Sequence, residues 1–182
     1  DLLKELREAG FTAALLVPRE GIFRGASALL NLRDGTANEQ VVRADIAQHL
    51  ALEHADWGDD TYPGSLMGSI AAIRQTFLDA QHYEAAMAAY ARNPGGGERP
   101  ETNRALEALL PVLAGKQPVA IEAEDINMRF RAERLAREFN LKAWIVSGGS
   151  DEYRRIPEVK AGGWPLVLAV NKADLRGQAQ FG

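Results

Sequence analysis

The stretch that decides the fold is residues 119–170, VAIEAEDINMRFRAERLAREFNLKAWIVSGGSDEYRRIPEVKAGGWPLVLAV. Three short runs in it are apolar throughout, which is typical of strands buried on both faces. These runs are residues 119–121, 143–146 and 166–170. Helical patterns over 125–139 and 151–159 separate them. Strands that alternate with helices in this way predict βαβ units, an α/β fold with a parallel sheet covered on both faces.

The residues before this stretch carry weaker signals. The predicted elements are a helix over 1–9, strands over 12–17 and 23–32, an extended run over 41–52, a loop over 54–64, and helices over 65–92 and 106–113. The glycines at 95–97 predict a hinge near residues 93–100, since no strand precedes them and no Lys-Ser/Thr follows, as a phosphate-binding loop would require. We expect one domain over residues 1–182.

Composition excludes several classes of function. The 182 residues are 46% hydrophobic and 25% charged, the ordinary mix of a soluble globular protein. A formal net charge of -4 gives no basic surface for nucleic acid or an anionic membrane. The absence of cysteine excludes disulfides, Cys-ligated zinc and thiol catalysis within this chain. No apolar run approaches the roughly 18–20 residues of a membrane span, so we expect no nucleic-acid and no membrane partner.

The motif Asn171-Lys172-Ala173-Asp174 follows an apolar run and matches the NKxD motif with which GTPases recognise guanine. Nucleotide binding of that kind also needs a P-loop for the phosphates. The sequence contains no GxxxxGK[ST]. A nucleotide-binding α/β domain that uses Asn171 and Asp174 therefore remains an alternative that rests on one short motif.

The three histidines follow no metal-site pattern. His49 and His54 are five residues apart, which places them on opposite sides of a helix or opposite faces of a strand. We expect both to be surface or loop residues. His82 falls inside the predicted long helix, where we expect a packing or surface role. No HxH or HExxH occurs.

The predicted strand ends carry polar residues. In a parallel sheet or barrel, ligands bind at the carboxyl ends of the strands. Glu122 and Glu124 follow the first strand of the deciding stretch and are two apart, so they project to the same side while extended. Ser147 ends the next strand and Asn171 the last. These four residues are the candidate site, although Glu124 and Asp125 are also typical of a helix N-terminus.

Several segments, taken in order, resemble imidazolonepropionase-like amidohydrolases. They are residues 10–29 (GFTAALLVPREGIFRGASAL), 62–80 (YPGSLMGSIAAIRQTFLDA), 106–121, 147–149 with Glu152-Tyr153, and 164–168. The resemblance extends from about residue 6 to residue 171. It implies a partial (β/α)8 TIM barrel, the central fragment of a catalytic barrel that belongs to a longer protein.

The resemblance also implies an activity. Such enzymes hydrolyse non-peptide C–N bonds in amides, cyclic imides or lactams by means of a water activated by a divalent metal, usually zinc. Their ligands are a His-x-His on the first strand, His on the fifth and sixth strands, and Asp on the eighth. Here Glu122 stands at the fifth-strand position and Ser147 near the sixth, while the other ligands would lie outside the chain. Glu122 is thereby the candidate metal ligand, and Glu124, Ser147 and Asn171 are candidate substrate-binding residues.

Two functional hypotheses follow from these departures. The first is a hydrolase whose partner is a small amide or cyclic amide and whose isolated chain is inactive, because most of the metal ligands are missing. The second is a catalytically dead barrel that acts as a binding or scaffold domain. A partial barrel also leaves open strand edges and a half-covered inner face, which predicts self-association. The sequence leaves the compartment, cytoplasmic or exported, undecided.

Overall fold

The computed structural model describes residues 2–52, 62–147 and 151–168, with only the backbone of Ser147. The elements in chain order are α1 (Leu2–Glu8), β1 (Ala13–Leu16), β2 (Phe23–Ala26), β3 (Ala28–Asn31), α2 (Ala37–Gln40), β4 (Val41–Arg43), β5 (Gln48–Ala51), α3 (Leu66–Arg92), α4 (Arg104–Glu107), α5 (Leu110–Leu113), β6 (Val119–Ala123), α6 (Ile126–Glu138), β7 (Ala143–Ser147), a 3-10 helix (Glu152–Arg155), α7 (Ile156–Gly162) and β8 (Leu166–Leu168). In these ranges no helix is long and apolar enough to cross a membrane.

The larger sheet has the strand order β2-β5-β6-β7-β8. Its last four strands are parallel, and the residues Leu50, Ile121, Ile145 and Leu166 form one row across them. The alternation of parallel strands and helices predicted there is therefore confirmed for residues 119–147 and 151–168. β2 runs antiparallel to β5 at the sheet edge, so the sheet is mixed, and the described residues form no closed barrel.

A smaller antiparallel sheet has the order β1-β3-β4. The single strand predicted over 23–32 is divided at Ser27, whose backbone bonds to Ala47 and Ile46 while β2 joins one sheet and β3 the other. The sequence pattern cannot show that one extended run is divided between two sheets, because the same residue types are favourable in a strand of either sheet. β1 was expected to be buried, but three of its four residues are exposed.

The core lies on one face of the larger sheet, beneath α3 and α6. Ile121 and Ile145 point into it and are fully buried. Phe77 of α3 packs against Phe139 at a ring-centroid distance of 5.0 Å. The opposite face carries no helix from the described residues and forms the wall of a cavity, so the expected cover on both faces is found on one only.

Helix ends follow their capping residues. Ser65 caps the long helix α3, and the Asp125 side chain accepts the backbone N–H groups of Asn127 and Met128 at the start of α6, as a capping carboxylate does. The helix predicted over 106–113 is instead two short helices, α4 and α5.

Candidate functional site

A cavity of about 800 Å³ lies against the face of the larger sheet that points away from the core. Side chains of a strand alternate between its two faces. Ala120 and Glu122 of β6, and Trp144 and Val146 of β7, consequently line the cavity, while Ile121 enters the core. Leu15, Leu16 and Val17 on and after β1 also line it. The cavity thus has mainly apolar walls and a few charged groups.

The charged centre of the cavity is an ion pair between Arg24 and Glu122. Arg24 Nη1 donates to Glu122 Oε1 at 2.5 Å, with the two side chains 11% and 32% exposed. A second contact, from Arg24 Nε to the Gly21 carbonyl at 3.4 Å, is too long to contribute much. Arg24 Nη2 and Glu122 Oε2 have no hydrogen-bond partner among the described residues. Arg24 therefore keeps a donor, and Glu122 an acceptor, that the described residues do not use.

His49 of β5 lines the same cavity and is 3% exposed. Neither ring nitrogen has a hydrogen-bond partner in the described part of the chain. Burial lowers the pKa of His49, and the positive charge of Arg24 lowers it further, so the imidazole is held neutral. The expectation that His49 is a surface or loop residue is wrong, because β5 is an inner strand of the sheet. His82 is exposed on α3, and His54 lies outside the described residues.

The predicted site residues have different positions. Glu122 and Glu124 line the same cavity, as their two-residue spacing suggested. Ser147 pairs through its backbone with Ala123 and Leu168 at the carboxyl end of the sheet. Asn171, like the whole NKxD motif, lies outside the described residues.

Sequence reasoning missed Arg24 and the burial of His49. Arg24 belongs to a segment that carries the family resemblance, but no motif marks it. Its role depends on the antiparallel pairing of β2 with β5, which brings the start of β2 to the carboxyl end of β5, and β6 lies next to β5 in the sheet.

Glu122 does not fit a metal ion in this arrangement. One of its oxygens accepts a hydrogen bond from a guanidinium, whose positive charge opposes a divalent cation at the same carboxylate. Within residues 2–52, 62–147 and 151–168, no three His, Asp or Glu side chains are grouped as ligands. The predicted zinc site at Glu122 has no support from these donors.

The fold resembles that of a solved amidohydrolase from Thermotoga maritima MSB8, with a TM-score of 0.76. The two chains are 23% identical, and the matched region covers 88% of this chain and 42% of that chain. No family model matches the sequence, and no curated protein does. The comparison supports the resemblance to amidohydrolases at the level of the fold, and it does not distinguish the imidazolonepropionase-like group.

Proposed function

We propose that this chain forms the substrate-binding wall of an amidohydrolase-like hydrolase that acts on a C–N bond of a small cyclic amide. The observation that carries this proposal is the Arg24–Glu122 ion pair in a mainly apolar cavity. The cavity reaches the carboxyl ends of β5 and β6, where Ala51, Glu122 and Glu124 line it. Ligands of parallel α/β folds bind at such strand ends, which supports the proposal.

The pair matches one edge of a cyclic amide. A lactam or cyclic imide holds its C=O and N–H on the same side, because the ring forces the amide bond to be cis. Arg24 can donate to that carbonyl while the free oxygen of Glu122 accepts from the N–H. A linear secondary amide is trans, and its cis form costs about 2.5–4 kcal/mol. We therefore propose cyclic amides, rather than linear secondary amides, as the ligands.

The apolar part of the cavity suits the ring of such a ligand. Trp144, Val146, Val167, Leu15 and Leu16 line the same cavity as the ion pair and give it apolar surface. Small-molecule sites commonly combine apolar walls with a few polar groups that fix the orientation of the ligand. Arg24 is only 11% exposed, so its hydrogen bond is partly shielded from water.

No hydrolytic step is assigned to a metal at Glu122. The enzymes that this chain resembles use a metal to supply an activated water, and the donors for one would have to come from outside the described residues. The role that we propose for Arg24 and Glu122 is to bind and orient the amide. On this account the chain by itself binds cyclic amides and does not hydrolyse them.

A second candidate is a binding domain without catalysis. The engagement of Glu122 by Arg24 favours it, because the residue at the expected ligand position already has a cationic partner. The two candidates predict the same binding and differ in turnover. Ring opening of a bound cyclic amide, by the chain or by any longer protein that contains it, with or without added zinc, would decide for the hydrolase.

The binding proposal is tested by NMR titration with 2-pyrrolidinone, a cis amide, and with N-methylacetamide, a trans amide. We expect 2-pyrrolidinone to bind more tightly and Arg24→Met to abolish that binding. The matched control is Arg74→Met, since Arg74 forms an exposed pair with Glu138 away from the cavity. Equal affinity for the two amides, or unchanged affinity in Arg24→Met, would overturn the proposal.

A further inference from the structure

We infer that His49 is a second ligand-binding group of this cavity and that it selects cyclic imides, which carry a second carbonyl, over lactams. The inference rests on the proposed function, because it assumes a cyclic amide on the Arg24–Glu122 pair. It adds a residue that no sequence motif indicated, together with a narrower class of ligand.

The first support is the state of the imidazole. His49 is almost completely buried, yet both of its ring nitrogens lack a hydrogen-bond partner among the described residues. Buried polar groups in proteins are nearly always satisfied by protein, water or ligand. His49 lines the cavity, and its two nitrogens are covered in the unliganded arrangement, so a ligand reaches them when the side chains that cover the ring move aside.

The second support is the position of His49 beside the ion pair. His49 is the register partner of Gly25, the residue after Arg24. The other charged groups that line the cavity are Arg19 and Glu124, both exposed. Arg24 and Glu122 are already bonded to each other. His49 therefore lies on the strand next to Arg24, and its ring nitrogens have no hydrogen-bond partner among the described residues.

The chemistry of a neutral imidazole defines the ligand group. Burial and the charge of Arg24 both lower the pKa of His49, so the ring has one N–H donor and one acceptor nitrogen. A cationic ligand group is disfavoured by Arg24. A carbonyl oxygen can accept from the N–H. A cyclic imide has a carbonyl on each side of its N–H, one for Arg24 and one for His49, with the N–H left for Glu122.

The test compares succinimide with 2-pyrrolidinone, which share a five-membered ring and differ by one carbonyl. We expect succinimide to bind the wild-type chain about three- to tenfold more tightly, the range for one net hydrogen bond. Succinimide also has the more acidic N–H, so this preference alone does not identify His49. The deciding result is the effect of His49→Phe, which should remove the preference and leave 2-pyrrolidinone affinity within about twofold.

Two further variants complete the experiment. His49→Gln keeps an N–H donor in a side chain of similar reach and should retain part of the preference, which also covers a failure of His49→Phe to fold. His82→Gln alters an exposed histidine of α3 and should change nothing. An undiminished preference in both His49 variants overturns the inference alone. If neither succinimide nor 2-pyrrolidinone binds the wild-type chain, both this inference and the proposed function are wrong.

Discussion

Arg24 and Glu122 are 98 residues apart in sequence and lie on strands that are not neighbours, yet their side chains form an ion pair at 2.5 Å. β5 separates the two strands. The contact spans it because β2 is antiparallel, which places its first residues beside the carboxyl ends of β5 and β6. This long-range pair holds the edge strand to the parallel part of the sheet and forms the polar centre of the cavity.

The pair should contribute more to stability than an exposed pair of the same residue types. In a double-mutant cycle with Arg24→Met and Glu122→Gln, we expect a coupling energy of about 1–3 kcal/mol from urea unfolding. The control cycle uses Arg74 and Glu138, whose side chains are each 39% exposed, and should give about 0–1 kcal/mol. Equal couplings for both pairs would show that the cavity pair is no better shielded from solvent.

The affinity of the chain for zinc should not depend on Glu122. Because Arg24 neutralises this carboxylate, we expect Glu122→Ala to leave any zinc affinity of the chain within about twofold, as measured by isothermal titration calorimetry. Glu124→Ala, an exposed carboxylate of the same cavity, is the matched control. A loss of tenfold or more in Glu122→Ala alone would restore the metal site that the family resemblance implies.

Lowering the pH should reduce the stability of the fold, because His49 becomes protonated more readily in the unfolded chain. Its folded-state pKa lies below the ordinary value of 6.5, so the unfolded chain binds the proton more readily. The stability from a neutral His49 is therefore present above pH 6.5 and is lost as the pH falls toward the folded pKa. The slope from one proton is at most about 1.4 kcal/mol per pH unit. Denaturant unfolding of wild type between pH 7.5 and 5.5 should show a steeper loss than that of His49→Gln, and parallel curves would contradict the prediction.

Gly162 should not tolerate a side chain, although it lies in helix α7. A Cβ there would lie 2.8 Å from Glu133 Oε2, and this buried carboxylate forms ion pairs with Arg129 and Arg137. Alanine normally favours a helix by about 1 kcal/mol over glycine, but displacement of this carboxylate should make Gly162→Ala destabilising by about 1–2 kcal/mol. Gly97→Ala, where a Cβ meets nothing within 4 Å, should be neutral within about 0.5 kcal/mol in the same thermal unfolding assay.

Local signals predicted the regular part of the fold. The apolar runs around Ile121 and Ile145 became inner strands because only such strands are apolar on both faces. Asp125 marked the start of α6 because its side chain caps the first turn. Glu122 and Glu124 were placed at one cavity because the two-residue period of a strand fixes their side.

Long-range pairing accounts for what the sequence did not predict. Arg24 became part of the cavity only through the edge position and direction of β2, which no local pattern encodes. His49 was judged by its spacing to His54, and that spacing says nothing about whether the strand is inner or outer in the sheet. The division at Ser27 likewise depends on which sheet each half meets.

The most direct test of the account compares 2-pyrrolidinone with N-methyl-2-pyrrolidinone on the wild-type chain by NMR titration. The two rings share the carbonyl that Arg24 would bind. The methyl group replaces the N–H from which Glu122 would accept and adds bulk there, so the Glu122→Ala comparison decides whether the hydrogen bond is the cause. Loss of one hydrogen bond should weaken binding about fivefold or more, and Glu122→Ala should erase the difference. Equal affinities for the two lactams on the wild-type chain would contradict recognition of a cis amide by the Arg24–Glu122 pair.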